Sequence, residues 1–126
     1  MKVLCIGNSF SQDAASYLSR AAKEQGIEIY IENLYIGGCS LERHYNNIIN
    51  DIPDYEYWEN GLEASGKCSV KKVLESNSFD AVTVQQVSGA SGQPQTYFPY
   101  LPFITAYIRD RQPQAQLYFH ETWSYE

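Results

Sequence analysis

Positively charged residues are scarce in this sequence of 126 residues. It has 9 Lys and Arg against 15 Asp and Glu, which gives a formal net charge of −6 at pH 7. Binding to DNA or RNA depends on Lys and Arg that neutralise phosphates, and no cluster of them is present. The composition therefore argues against a nucleic-acid partner.

Cysteines are also few. The three thiols, Cys5, Cys39 and Cys68, are odd in number and form no Cys-x-x-Cys pair. We expect reduced side chains in a small core rather than a disulfide framework or a metal site. No feature of the sequence calls for a metal or another cofactor, and none is predicted.

Long apolar runs are absent, since none approaches the roughly 18 residues that a membrane-spanning helix needs. No membrane partner is therefore predicted. The apolar run at the N-terminus is also too short for a signal peptide. The expected compartment is the cytoplasm if Met1 is the native start, and the periplasm or exterior if a signal peptide was removed.

Apolar strand patterns alternate with helical periodicities along the chain. Strands are predicted over 2–6, 27–35, 81–85 and 116–119, and helices after Ser9, over 40–50, over 70–76 and from near Pro99 or Pro102. This alternation predicts an α/β fold with three layers, resembling flavodoxin, in which helices cover both faces of a parallel sheet. The alternation of polar and apolar residues over 27–35 further predicts an edge strand with one wet face.

Residues 54–67 interrupt the pattern. Tyr55-Glu56-Tyr57-Trp58 alternates, and Asn60-Gly61 is a strong hairpin turn. The segment predicts a small antiparallel hairpin inserted into the main fold. Its aromatic side chains either pack on the sheet or form a wall on which a sugar stacks.

The predicted sheet ends abruptly, because the chain stops seven residues after Phe119, with no helix to cover the last strand. We expect residues 1–126 to be the N-terminal part of a single, truncated domain. An uncovered last strand also predicts self-association through its unpaired edge.

Candidate chemistry lies where the predicted parallel strands end. Gly7 and Ser9 follow the first strand, Gly38 follows the second, and Gln85 and Gln86 follow the third. The fold therefore brings these residues to the same edge of the sheet. A serine N–H, a glycine N–H and a side-chain amide are together the donors of an oxyanion hole. Taken alone, Ser9 has a structural alternative, because Ser9-Phe10-Ser11-Gln12 fits a helix capping box.

These residues resemble the motif blocks of the SGNH, or GDSL-like, hydrolases. Gly7-Asn8-Ser9-Phe10-Ser11 resembles the first block, with Asn8 where the family has aspartate. Gly37-Gly38-Cys39-Ser40 resembles the second block, and the segment 82–88 stands at the third, where the carbohydrate acetylesterase branch carries a glutamine. The amino-acid sequences of the three blocks together are most similar to those of the DUF4886-type group.

The resemblance implies a serine esterase that removes acyl groups, acetyl above all, from a carbohydrate or another small ester. Ser9 would be the nucleophile, with its own N–H, that of Gly38 and the amide of Gln86 holding the oxyanion; Gln85 is the alternative donor. Asn8, His120 and Trp58 are candidates for substrate contacts.

The general base of the family is missing from this sequence. The family's histidine follows an aspartate by three positions, whereas Leu41 precedes His44 and Leu117 precedes His120 at that spacing. A serine without its base is a weak nucleophile. Both histidines have other expected roles: His44 a solvated or capping side chain on a helix, and His120 a hydrogen-bonded residue at the end of a strand.

Two alternatives stay open at the level of sequence. One is a flavodoxin-like module in which the loop after the first strand holds the phosphate of FMN and tyrosines stack on the ring. The other is a catalytically inactive relative that binds carbohydrate.

Overall fold

The apolar N-terminal segment forms a central strand of a six-stranded sheet. The computed structural model describes residues 1–60 and 62–120. The strands are β1 (Lys2–Gly7), β2 (Tyr30–Tyr35), β3 (Tyr55–Glu59), β4 (Leu62–Cys68), β5 (Ala81–Val84) and β6 (Gln116–Phe119). Their order across the sheet is β4-β3-β2-β1-β5-β6.

The sheet has a parallel part and an antiparallel extension. Strands β2, β1, β5 and β6 run parallel, as the alternation of strands and helices predicts. The hairpin of β3 and β4 is also confirmed, and it pairs antiparallel with β2, so it extends the same sheet. Gly61 of its predicted turn lies outside the described residues.

The prediction that the second strand lies at an edge is wrong. β2 lies between β1 and β3, and Ile31, Glu32, Asn33 and Leu34 are all buried. The polar side chains of Glu32 and Asn33, which contribute to the alternation, face protein rather than water. The carboxylate of Glu32, for example, accepts a hydrogen bond from the hydroxyl of Tyr57 on the neighbouring strand.

Four helices cover the two faces of this sheet. They are α1 (Ser9–Glu24), α2 (Leu41–Ile49), α3 (Val70–Ser76) and α4 (Tyr100–Arg111). The small side chain of Ala15 on α1 packs with Val3, Cys5 and Ile31 on one face. The larger core on the opposite face joins α2, α3 and α4 to the sheet through residues such as Leu4.

Capping serines fix the start of two helices where the sequence predicts them. The hydroxyl of Ser40 accepts a hydrogen bond from the N–H of Arg43 at 3.2 Å, and that of Ser69 accepts one from the N–H of Lys72 at 3.2 Å. The chain passes from β2 through a short loop into α2, so the Ser40 cap at the start of α2 fixes the end of this loop. Within the described residues, no helix is long and apolar enough to cross a lipid bilayer.

Candidate active site

The turn between β1 and α1 is held too tightly for any side chain at Gly7. A Cβ atom there would lie 2.1 Å from Oε1 of Gln85 and 2.6 Å from Oγ of Ser11. The next residue, Asn8, is buried, and Ser9 is the first residue of α1. The glycine thus lets the chain turn under Gln85 and enter the helix at Ser9. The Ser9 side chain lies outside the described part of the structure.

The loop from β2 to α2 presents a backbone donor. Gly38 has a φ of +66°, a conformation that favours glycine. Its N–H donates no hydrogen bond to a described atom, and the residue is exposed. The adjacent carbonyl of Cys39 accepts a hydrogen bond from Nδ2 of Asn8 at 3.3 Å, which ties this loop to the turn before α1.

Gln85 and Gln86, at the end of β5, differ in the hydrogen-bond partners of their side-chain amides. Oε1 of Gln85 accepts a hydrogen bond from the N–H of Asn8 at 3.3 Å, and its buried Nε2 has no partner in the described chain. Both hydrogens of Nε2 of Gln86 point to Thr96, with its carbonyl 3.2 Å and its hydroxyl 3.1 Å away. The sequence predicts Gln86 as the amide donor, with Gln85 as the alternative. In the structure both residues are buried, the amide of Gln86 is engaged with Thr96, and that of Gln85 has no described partner.

The structure brings Gly7, Asn8 and both glutamines together at the carboxyl edge of the parallel strands, with the Gly38 loop attached through Asn8. Asn8 is as buried as Gln85, with 1% and 0% of the two residues exposed, and its Nδ2 donates to the carbonyl of Cys39. Asn8 thus links the turn before α1 to the loop before α2.

Of the other two predicted site residues, one lies apart from this group and one lies beside it. Trp58 on β3 pairs with Asn33, below the edge where the turn lies. His120 follows β6, and its N–H donates to the carbonyl of Val84 at 2.7 Å. It therefore stands at the carboxyl edge of the sheet, next to the end of β5 that leads into Gln85.

His44 is a buried residue, so the expectation of a solvated or capping side chain is wrong. Its Nδ1 lies 2.7 Å from the hydroxyl of Tyr55 and 3.5 Å from Sγ of Cys39. The periodicity could have indicated this, since Leu41, His44 and Ile48 recur at the spacing of one helix face and all are buried. The cluster lies directly behind the loop that carries Gly38.

Burial keeps this cluster uncharged. It lowers the pKa of His44 to about 3, assisted by the positive charge of Arg43. Burial likewise raises the pKa of the Cys39 thiol to about 12, although Arg43 acts in the opposite direction there. A neutral thiol at zero exposure is not a nucleophile. Tyr55 is completely buried as well and forms no wall for a sugar.

Two donors at this edge of the sheet have no partner among the described atoms: the N–H of Gly38 and Nε2 of Gln85. In the first turn of α1, by contrast, the N–H of Ser11 donates to the carbonyl of Asn8 at 3.0 Å. Within residues 1–60 and 62–120, no group of three or more His, Cys, Asp or Glu is arranged to hold a metal ion. The chemistry offered by these residues is that of hydrogen-bond donors next to a serine.

Comparisons with known proteins give a family and a fold. The model of DUF4886, described as a domain of unknown function, matches residues 2–126. The structure of a DUF4886 family protein from Bacteroides uniformis ATCC 8492 superposes with a TM-score of 0.90 at 41% identity, covering 99% of this chain and 51% of that chain. The present chain thus spans about half the length of that relative.

A more distant match concerns the fold alone. A "putative SGNH hydrolase" from Slackia heliotrinireducens superposes with a TM-score of 0.61 at 19% identity, covering 98% of this chain and 56% of that chain. The chain therefore has an α/β fold similar to that of this protein, as the sequence predicts. None of the curated proteins matches the sequence.

Proposed function

The chain belongs to the DUF4886 family, and from this membership and the geometry at the end of β1 we propose that it is a serine ester hydrolase of the SGNH type. The proposed substrate is an acetyl or other small acyl ester of a carbohydrate or small molecule. The glutamines at the third block support this substrate class, since the resemblance connects a glutamine there with carbohydrate acetylesterases.

Ser9 is the proposed nucleophile. Its hydroxyl oxygen attacks the ester carbonyl carbon, the serine proton passes through a general base to the leaving alcohol, and water then hydrolyses the acyl-serine. The proposal assigns no base, because the sequence has no Asp-x-x-His pair. His44 does not serve, since it is buried among Tyr55 and Cys39.

Three donors are proposed to hold the oxyanion: the N–H of Ser9, the N–H of Gly38 and Nε2 of Gln85. The observation that carries the proposal is the unpartnered donor of Gly38, joined to the serine turn through the contact between Asn8 and Cys39. Gln85 is the third donor because its Nε2 is unpartnered, whereas that of Gln86 is engaged with Thr96. Catalytic hydrogen bonds often tighten only when substrate binds.

The test is acylation of Ser9 by p-nitrophenyl acetate, followed by mass spectrometry of the peptide that contains it. Oxyanion stabilisation and binding together retain about a thousand- to ten-thousandfold of rate over water when triad members are absent, so acetyl-Ser9 should accumulate. Gln85→Ala should slow its formation about a hundredfold. Ser9→Ala should abolish it.

Ser16→Ala is the matched control, because Ser16 is an exposed serine on the same helix. This variant should leave the acetylation of Ser9 unchanged, and in the wild type Ser16 should be acetylated no faster than a serine of the denatured chain. Equal labelling of Ser9 and Ser16 in the folded protein would contradict the proposal and leave Ser9 as a helix cap.

A further inference from the structure

Gln86 is buried, with 2% of the residue exposed, and every donor and acceptor of its side-chain amide has a hydrogen-bond partner. Oε1 accepts from the N–H of Leu41 at 2.9 Å and from its neighbour Val87 at 2.9 Å. Nε2 donates to the carbonyl and hydroxyl oxygens of Thr96. A primary amide has two donor hydrogens and two acceptor lone pairs, so nothing is left over to bind a ligand.

These contacts join three separate segments of the chain. Gln86 follows β5, Leu41 is the first residue of α2, and Thr96 belongs to the segment between β5 and α4. The N–H of Leu41 is one of the donors that a helix cannot satisfy internally. Ser40 caps the N–H of Arg43, so Gln86 supplies from outside the acceptor that the helix start still lacks.

The same contact fixes the loop that carries Gly38. The backbone of this loop is held at the carbonyl of Cys39 by Asn8 and at the N–H of Leu41 by Gln86. Gly38 precedes both anchors and has no hydrogen bond of its own from its N–H to a described atom. The N–H of Cys39 also donates to the carbonyl of Ile36 at 3.2 Å, which closes a turn around Gly38, so the direction of the Gly38 N–H depends on this turn and on the two side-chain contacts that hold the turn in place.

We infer that Gln86 is a positioning residue, which aims the N–H of Gly38 at the oxyanion by holding the start of α2 against the end of β5. This inference rests on the proposed function and refines it. The two glutamines then have separate roles: Gln85 donates its amide, and Gln86 orients the backbone donor. A misplacement of about 1 Å costs on the order of a hundredfold in rate, so such a contact matters for catalysis.

The test compares Gln86→Met with Gln86→Glu. Methionine keeps the length of the side chain and removes all four hydrogen bonds, whereas glutamate keeps the acceptor oxygen for Leu41. Two quantities are measured: amide hydrogen exchange at Leu41 by NMR, and the rate of Ser9 acylation by p-nitrophenyl acetate at low and at saturating concentration.

Gln86→Met should raise amide exchange at Leu41 at least tenfold and lower the saturating acylation rate about ten- to hundredfold, with little change in the half-saturating concentration. Gln86→Glu keeps the acceptor for Leu41 but loses both donors to Thr96, so it should lie between the wild type and Gln86→Met in both quantities. Gln114→Met is the matched control, since the contacts of Gln114 are with Ser78, Phe79 and Gln112, away from α2, and it should change neither quantity.

Three results would overturn the inference. The first is Gln86→Met with unchanged exchange at Leu41. The second is Gln86→Met with exchange at Leu41 raised but acylation unaltered. The third is Gln86→Glu with Leu41 protected but acylation lost, which would make the amide itself the catalytic donor.

Failure of the proposed function looks different. Ser9 would then not be acylated even in the wild type, while exchange at Leu41 still reports whether Gln86 holds the helix start. If Gln86→Met does not fold, Thr96→Val removes the hydroxyl partner alone. This milder variant should give smaller changes of the same sign in both quantities, and no change in either would count against the inference.

Discussion

The imidazole of His44 makes folding depend on pH at the scale of a single residue. It is fully buried and contacts Tyr55 and Cys39, and its Nε2 has no partner in the described chain. Its pKa of about 3 in the folded protein lies below the ordinary value of 6.5. Between these two pH values the unfolded chain takes up a proton that the folded chain does not.

We therefore expect the free energy of unfolding to fall as the pH drops from about 6.5 towards 3, with a contribution from His44 of up to about 1.4 kcal/mol per pH unit. Urea unfolding at pH 7, 6, 5 and 4 measures it. His44→Gln, which has no proton to gain, should have a shallower pH dependence than the wild type, and His120→Gln is the comparison that removes the other histidine. Parallel curves for wild type and His44→Gln would show that the buried ring ionises without unfolding.

The elements themselves could be predicted largely from local patterns. Helices α2 and α3 begin after Ser40 and Ser69, because a serine cap and an apolar face are encoded within a few residues. The position of β2 inside the sheet could not be predicted in the same way. It depends on β3, which covers the outer side of β2. The buried carboxylate of Glu32 on β2 accepts a hydrogen bond from Tyr57, which lies 25 residues further along the chain.

In the candidate site, too, some features could be predicted from local sequence patterns and others depend on contacts between distant segments. Spacing from strand ends was enough to place Gly7 and the two glutamines at one edge of the sheet. Which glutamine keeps an unpartnered amide depends on Thr96, in a segment without regular periodicity. Side-chain hydrogen bonds between loops leave no pattern in the residues that flank them, so only the folded structure distinguishes Gln85 from Gln86.

The turn from β1 into α1 gives a prediction at this scale. Gly7→Ala should destabilise the fold by about 1–3 kcal/mol, since the new methyl group would overlap with Oε1 of Gln85 and Oγ of Ser11. The loss should be smaller in a Gln85→Ala background, because the overlap with Oε1 is then removed and only the overlap with Ser11 stays. Chemical denaturation of the four proteins in this double-mutant cycle measures the coupling.

Gly89→Ala is the control for that cycle, because no atom lies within 4 Å of the added carbon. It should change the free energy of unfolding by less than about 0.5 kcal/mol. If Gly7→Ala is equally mild, or costs the same with and without Gln85, the close approach between the turn and β5 does not constrain the fold.

At the scale of the whole molecule, the two edges of the sheet differ in charge. β4 carries Glu63 and Lys67 at one edge, whereas β6 at the other edge has the uncharged sequence Gln-Leu-Tyr-Phe. Charged side chains, lysine above all, hinder the pairing of exposed strands with other chains. Self-association should therefore proceed through β6 rather than β4.

Sedimentation velocity over a range of protein concentrations tests this expectation. Tyr118 is 56% exposed on β6, and Tyr118→Lys should lower the associated fraction. Leu62 is 76% exposed on β4, and Leu62→Lys adds the same charge at the other edge, where it should leave association unchanged. A wild-type protein that stays monomeric at every concentration, or equal effects of both lysines, would contradict the role of β6.

The central place of β1 has a consequence for synthesis on the ribosome. β1 is made before the other strands described here, and its partner β2 follows soon after, but Val3 pairs on its other side with Ala81 of β5. At roughly 5–20 residues per second, about 4–16 s pass before that partner is made. Throughout this interval one side of an apolar strand has no neighbour, so we expect the nascent chain to expose a binding site for chaperones that recognise extended hydrophobic segments. A pause in translation before residue 81 would prolong that exposure.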